Sequence, residues 1–308
     1  MAEAHTPVLL QPVLEALMPE GRAPSRVIDG TLGAGGHSAA LLEHGAGELL
    51  GMDLDPQAIA LATQRLAPFG DRAHIVRASY LEMRRAARDL GWDTADAILL
   101  DFGVSSMQLD TPGRGFAFRH DGALDMRFDP ESGGLTAADL VNSMEERDLA
   151  DLIFRYGEER ESRKIARALV KARPFETTQQ LASRIEQVMP RRHRDTIHPA
   201  TRTFQALRIA VNDELAAVEA VLPTAIDLLR SGGRLAVISF HSLEDRLVKE
   251  AFRLAATDCI CPPKTPVCVC GHHASVRLIT RKPITASDEE ASLNPRSRSA
   301  RLRVIEKL

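Results

Sequence analysis

The amino-acid sequence predicts an α/β fold, a parallel and doubly wound sheet with a helical insert. Three observations carry that expectation. Strand-like apolar runs alternate with helix-like stretches through the first hundred residues, the pattern of βαβ units in a parallel sheet. Three of the runs end in an acid, Asp29, Asp53 and Asp101, which gathers carboxylates at the edge where such sheets bind ligands. From Gly103 to about Arg202 the alternation stops and only helical stretches are found.

Pro12 to Leu17 reads as a short apolar helix with proline tolerated in its first turn. Val27-Ile28-Asp29 is a buried strand, and Gly33, Gly35 and Gly36 then allow a tight turn whose backbone approaches a ligand closely. The helix that starts near Ser38 would present free N–H groups to a carboxylate or phosphate. A dinucleotide fingerprint G-x-G-x-x-G needs glycine at 38, where this chain has serine. S-adenosylmethionine suits the pattern better: its carboxylate meets the helix start, its ammonium meets Asp29, and its ribose diol meets Asp53. That acid lies near the end of the second strand segment (47–56), about 20 residues after the loop, where a ribose ligand belongs.

A helix over Pro56–Leu66, a strand over Ala73–Ala78 with Tyr80 just beyond it, a helix over Glu82–Leu90 and a strand over Ala95–Asp101 follow. The insert shows helical stretches at 137–141, 145–156, 162–171 and 178–189, with Thr136 and Thr178 as expected caps. A long helix from about Thr203 to Ser231 then leads through Gly232-Gly233 into a strand, Arg234–Phe240, and a helix, Leu243–Ala255. Val276–Thr280 and Leu302–Ile305 are late strands expected to close the sheet in an antiparallel manner. The domain reading is 1–110 and 203–308 for the sheet domain and 111–202 for the insert.

The 308 residues suffice for a sizeable core, 44% hydrophobic and 26% charged content argue against disorder, and no apolar run reaches bilayer-spanning length. Met1 to His5 lack a basic region leading into an apolar stretch, so no signal peptide is expected and the predicted location is the cytoplasm. A net charge of −3 gives no global nucleic-acid signature. Locally, residues 155–208 hold thirteen Lys and Arg against six Asp and Glu. Arg191, Arg192 and Arg194, with His198 to Gln205, suit a phosphate-reading face because guanidinium forks match phosphate oxygens. A solvated helical surface is the plainer reading of the same charges.

Asp101 to Gln108 follow the fourth strand, where a target atom would meet the cofactor. An acid there can hold cofactor or target, while Gly103 leaves room and frees a carbonyl to accept a hydrogen bond. Residues 114–118 and 121–127 mix aromatics with charges, as a loop stacking on a flipped base does, or a lid with a small core of its own. His241, after the fifth strand, is a candidate proton shuttle or substrate contact, and Ser242 a candidate helix cap. The four cysteines form Cys259-x-Cys261 and Cys268-x-Cys270. Such a set can enclose zinc, but C-x-C departs from the usual C-x2-C and a cytosolic disulfide is not expected, so neither a metal ligand nor a catalytic role is assigned.

Taken together, His5-Thr6-Pro7-Val8-Leu9-Leu10, Asp29 to Ser38, Asp101-Phe102-Gly103-Val104-Ser105-Ser106, His198 to Gln205 and Ser239 to Asp245 resemble the bacterial ribosomal RNA small subunit methyltransferase H family over nearly the whole chain. The resemblance implies a class I S-adenosylmethionine-dependent methyltransferase domain, Rossmann-like, with an inserted helical domain. It implies methyl transfer to the exocyclic N4 of a cytidine in the decoding (P-site) region of 16S rRNA, in the small ribosomal subunit. The cofactor contacts it implies fall on Gly35, Gly36, His37, Asp53, Tyr80, Asp101 and Gln108, with Tyr80 where the family often has phenylalanine. An amine target needs alignment and an acceptor such as Asp101 or the Gly103 carbonyl, not a covalent nucleophile. The N-P-P-Y tetrapeptide of DNA amino-methyltransferases is absent from the sequence. A nicotinamide dehydrogenase and a non-catalytic ribosome-assembly factor are the rival classes.

Overall fold

The computed structural model describes residues 7–190, 197–262, 265 and 267–308. It divides into two compact units, Met1–Gly103 with Leu215–Leu308, and Val104–Glu214. The insert therefore starts directly after Gly103, where the sequence suggested 111, and runs past 202 to Glu214. In chain order the first unit begins with α1 (Leu10–Leu17), β1 (Arg26–Asp29), α2 (Gly36–Glu43), β2 (Glu48–Asp53), α3 (Pro56–Leu66), β3 (Ala73–Arg77), α4 (Met83–Asp89) and β4 (Ala95–Asp101). The insert holds α5 (Ser106–Asp110), α6 (Ala137–Ser143), α7 (Glu146–Gly157), α8 (Ser162–Ala172), α9 (Thr178–Val188) and α10 (Thr201–Asn212). The chain ends with α11 (Glu214–Leu228), β5 (Leu229–Ser239), α12 (Ser242–Ala255), β6 (Val276–Leu278), β7 (Ile284–Thr285), α13 (Asp288–Leu293) and β8 (Arg301–Lys307).

The strands form one sheet in the order β3-β2-β1-β4-β5-β8-β6, with β7 on β8. Pairing is parallel from β3 to β5 and antiparallel wherever β8 takes part. Successive side chains point to opposite faces, and both faces are covered. Ala97 and Leu99 of β4 pack with residues of α1, α2 and α3, whereas Ile98 and Leu100 pack with residues of α4, α11 and α12. Burial on both sides is why these strands read as unbroken apolar runs. The antiparallel closure by the last strands is as the sequence predicts, and its register sets Leu235 opposite Ile305 and Val237 opposite Arg303.

Several elements differ from expectation, each for a local reason. The long helix expected over 203–231 is two helices, broken at Asp213, whose φ of 49° places it in the left-handed region. The adjoining Asn212 donates its amide to Met126 O at 2.7 Å and accepts from Phe128 N at 2.7 Å, and Asp tolerates left-handed backbone better than most residues. Leu229 to Ser231 belong to β5, which pairs with β4 through Leu229 and again from Arg234 onward, with an irregularity between. Thr177, one residue before the expected Thr178, caps α9, its hydroxyl accepting from Gln180 N at 3.3 Å. Thr136 caps α6 as expected.

The insert has a core of its own, in which Leu149 and Ile153 of α7, Ile165 of α8, Ile185 of α9 and Leu207 of α10 are fully buried. Phe116, Leu124 and Met126 join that core, so this part of the aromatic loop packs into the helical insert and not around a small core of its own. Arg114 is buried beneath it and donates to the carbonyls of Arg127 and Phe128, both at 3.0 Å. Part of the basic excess is likewise spent internally. Arg173 Nε donates to Val141 O at 2.6 Å, Arg184 to Ala168 O at 3.3 Å, and Arg208 binds both oxygens of Glu214 at 2.8 and 2.9 Å. Arg191, Arg192 and Arg194 lie outside the described residues.

Gly157, the last residue of α7, sits where an added Cβ would stand 2.5 Å from Arg202 O of α10. Backbone cannot give way as a side-chain tip can. Gly157→Ala should therefore destabilise the insert by about 1–3 kcal/mol, read as an earlier unfolding midpoint in denaturant; an unshifted midpoint would show that the two helices part at little cost.

Candidate active site

β2, β1 and β4 are neighbours in the sheet, so Asp53, Asp29 and Asp101 end three adjacent strands. The turn after β1 is stitched to both flanking strands: Gly30 N donates to Leu99 O at 3.0 Å and Leu32 N to Met52 O at 2.9 Å. Gly33 and Gly35 take φ of 52° and 75°, where a Cβ is costly. Gly36 opens α2 against Pro7, whose ring carbon lies 2.6 Å from where a Cβ would be. His5 and Thr6, from the same motif, lie outside the described residues.

Each carboxylate is held differently. Asp29 is buried and accepts from Ser38 Oγ at 2.6 Å and Thr31 N at 3.2 Å. Burial pushes its pKa up to about 6, against the opposing pull of those bonds. Asp53 accepts from Gly33 N at 2.8 Å and from Asp55 N at 2.9 Å, and burial raises it too. Asp101 donates its backbone N–H to Thr31 Oγ1 at 2.6 Å, so Thr31 ties the ends of β1 and β4 together. Its Oδ2 lies 3.8 Å from Nε2 of the buried His37, while its sealed Oδ1 meets no donor among the described residues. Burial first, then the charges of Asp29 and Glu244, raise the Asp101 pKa well above the carboxylate range.

The same edge is completed by the ends of β3 and β5. The Tyr80 ring lies 5.8 Å from that of Phe102, centroid to centroid. Gly103 has φ of 103°, with the Phe240 ring 3.3 Å from its absent Cβ. His241, not Ser242, caps α12: its Nδ1 accepts from Glu244 N at 3.4 Å and its Nε2 lies 3.1 Å from Glu244 Oε1. An Nδ1 that accepts leaves the proton of the neutral ring on Nε2. Glu244, fully buried, accepts from Phe240 N at 2.8 Å and His241 N at 3.3 Å. Neither Glu244 nor Thr31 was singled out from sequence, although His241-Ser242-Leu243-Glu244 carries the acid of a capping box at its third helical position.

The first unit thus gathers Gly35, Gly36, His37, Asp53, Tyr80, Asp101, Gly103 and His241. Gln108 belongs to the insert, where it is buried and its Oε1 accepts from Ser105 N at 3.0 Å to cap α5. A stitched glycine turn, acids on adjacent strand ends and one sealed carboxylate oxygen without a donor suit a small ligand bearing cationic and hydroxyl groups.

Residues 2–308 match the MraW methylase family. The chain belongs to that family. A ribosomal RNA small subunit methyltransferase H from Solidesulfovibrio magneticus is 52% identical over 312 residues, covering 99% of this chain and 95% of the relative. Its counterpart from Geotalea uraniireducens is 51% identical over 310 residues, covering 99% and 98%. An rRNA methylase structure from Streptococcus thermophilus is similar to this chain at 12% identity and a TM-score of 0.42, covering 97% and 93%. The protein is a methyltransferase whose methyl donor is S-adenosylmethionine.

Asp29 offers a test of the site's electrostatics. Its folded pKa is raised above the unfolded value of 3.8 to about 6. The ionised form is thus disfavoured by folding, a cost absent below pH 3.8, growing between the two values and complete above about 6. Asp29→Asn removes it and should stabilise the protein relative to wild type by about 1–3 kcal/mol at pH 7.5, and by little near pH 4. Denaturant unfolding of both proteins across that range checks this; a difference that does not depend on pH would show that Asp29 does not titrate in the window.

Proposed function

We propose that the protein methylates the exocyclic N4 of a cytidine in the decoding region of 16S rRNA, within the small ribosomal subunit and in the cytoplasm. The RNA class rests on the names of relatives about half identical over almost the whole chain. The observation that carries the amine target is Asp101, a half-buried carboxylate at the end of β4 with one sealed oxygen that no described donor reaches. An unpaired buried acceptor is costly, and the N–H of an amine relieves it.

Gly35, Gly36, His37, Asp53, Tyr80, Asp101 and Gln108 are the residues we assign to holding the cofactor. When bound, S-adenosylmethionine supplies an electrophilic methyl group, so the protein needs no nucleophile of its own. Asp101 Oδ1 and the Gly103 carbonyl serve as acceptors for the target's N–H groups. They help localise the nitrogen lone pair, otherwise delocalised into the ring, and take up the developing positive charge. The Tyr80 and Phe102 rings exclude water beside them. His241 Nδ1 accepts from Glu244 N, and its Nε2 lies 3.1 Å from Glu244 Oε1 without a hydrogen bond, which assigns it to positioning that helix start and the Phe240 backbone. Methylation at carbon 5 of cytosine would call for a cysteine nucleophile, and all four cysteines lie beyond residue 258, after β5. The insert, with its own core and basic helices, is assigned to RNA recognition.

Two measurements test the reading. Asp53→Ala should weaken S-adenosylmethionine binding by about 1–3 kcal/mol, in part because Gly33 N loses its acceptor; unchanged affinity by calorimetry in a folded variant removes Asp53 from the site. Asp101→Asn should slow single-turnover transfer at least tenfold at saturating cofactor, about 1.4 kcal/mol. Mass spectrometry of digested 16S rRNA should show N4-methylcytidine made by the wild type, and 5-methylcytidine or no modified cytidine in any assembled or partly assembled subunit would sink the assignment.

A further inference from the structure

The long connection from α12 to β6 is built unlike the rest of the first unit. None of the described residues from Thr257 to Ser275 is buried, and Val267 and Val269 are 72% and 82% exposed. Yet its four cysteines converge. Sγ separations are 3.5 Å for Cys259–Cys268, 4.0 Å for Cys261–Cys268, 3.6 Å for Cys268–Cys270 and 3.8 Å for Cys259–Cys270. All four sulfurs lie within 4.8 Å of one another, and all four thiols are free. A tetrahedron with zinc–sulfur arms of about 2.3 Å has edges of about 3.8 Å. A disulfide would hold two of these atoms at about 2.05 Å instead.

The backbone repeats the arrangement in two matched halves. Ile260 N, inside the first Cys-x-Cys, donates to Cys270 Sγ at 3.4 Å, and Val269 N, inside the second, donates to Cys261 Sγ at 3.4 Å. Donors aimed at sulfur from the opposite pair are what thiolate ligands require of their surroundings. They also show how C-x-C performs here: each short pair supplies two ligands and one donor, and the tetrahedron closes between the pairs. His272 Nδ1 and Thr257 O at 2.8 Å, with Ala274 N and Asp258 Oδ1 at 3.2 Å, pin the base of the loop.

We propose that Cys259, Cys261, Cys268 and Cys270 bind one zinc ion as four thiolates. Each Zn–S bond forms as its thiol gives up a proton, so filling the site releases four protons and leaves a closed shell with net charge of about −2. No coordination position remains for a water or substrate, which makes the site structural. The ion holds a loop in which no described residue offers a buried apolar side chain to hold it, the use small metal sites have where a core is lacking.

Full-length protein purified under reducing conditions without added metal is expected to contain one zinc per chain by elemental analysis. Its thiols should react with an aromatic disulfide reagent only after zinc is chelated. Cobalt exchanged into the site should give the visible spectrum of tetrahedral thiolate coordination. Cys268→Ser should empty the site and speed proteolytic cleavage between 256 and 275, while S-adenosylmethionine affinity, which reports the folded first unit, stays unchanged. A folded, reduced wild type with near-zero zinc and four freely reacting thiols overturns the proposal. So does iron in place of zinc, or a mass four hydrogens short that reveals two disulfides.

Discussion

Hydrogen bonds from Gly30 to Leu99 and from Leu32 to Met52 fasten the turn after β1 to both neighbouring strands, and Thr31 between them spans the ends of β1 and β4 through Asp29 and Asp101. The backbone N–H groups of the turn are thereby partly committed before any ligand arrives: Gly33 N already faces Asp53 at 2.8 Å. Three acids are consequently brought to one edge, Asp29 buried and Asp53 and Asp101 half-buried. Desolvating a carboxylate is costly, and it is the apolar packing on both faces of the sheet that makes the cost bearable.

Polar groups away from this edge are treated differently. In the insert, the buried Arg114 and the nearly buried Arg208 each meet two acceptors. In the first unit, the buried Arg303 lays two nitrogens on the two oxygens of Asp245 at 2.7 and 3.1 Å. Buried charges are satisfied where they serve the fold. Asp101 departs from that rule, its Oδ1 meeting no donor among the described residues, and the proposed reaction uses that oxygen as an acceptor.

The sheet was legible in the sequence because strands buried on both faces cannot hide: Ile98, Leu99 and Leu100 have no polar partner in the pattern. The acids were legible because they end those runs. What escaped depends on partners distant in sequence. Nothing in the apolar periodicity of 204–222 announces a break, since it comes from the left-handed backbone of Asp213 and from the Asn212 side chain bonding Met126 and Phe128. A count of charges over 155–208 cannot tell that Arg173, Arg184 and Arg208 turn inward to carbonyls and a carboxylate. Glu244 is written in the chain as an ordinary helix cap, and only the fold brings its charge to bear on Asp101.

That charge changes what Asp101 can do. A carboxyl group raised by burial, Asp29 and Glu244 holds its proton tightly while alone. It ionises most readily when something positive or strongly donating enters beside it. Every unit by which a ligand draws the pKa back down is worth about 1.4 kcal/mol of affinity for that ligand. In the proposed role, like charges at the sheet edge thus favour at Asp101 a cation or an amine gaining positive charge over neutral, non-donating molecules. Such a response favours a transition state over its ground state, which a carboxylate already ionised and satisfied would not provide.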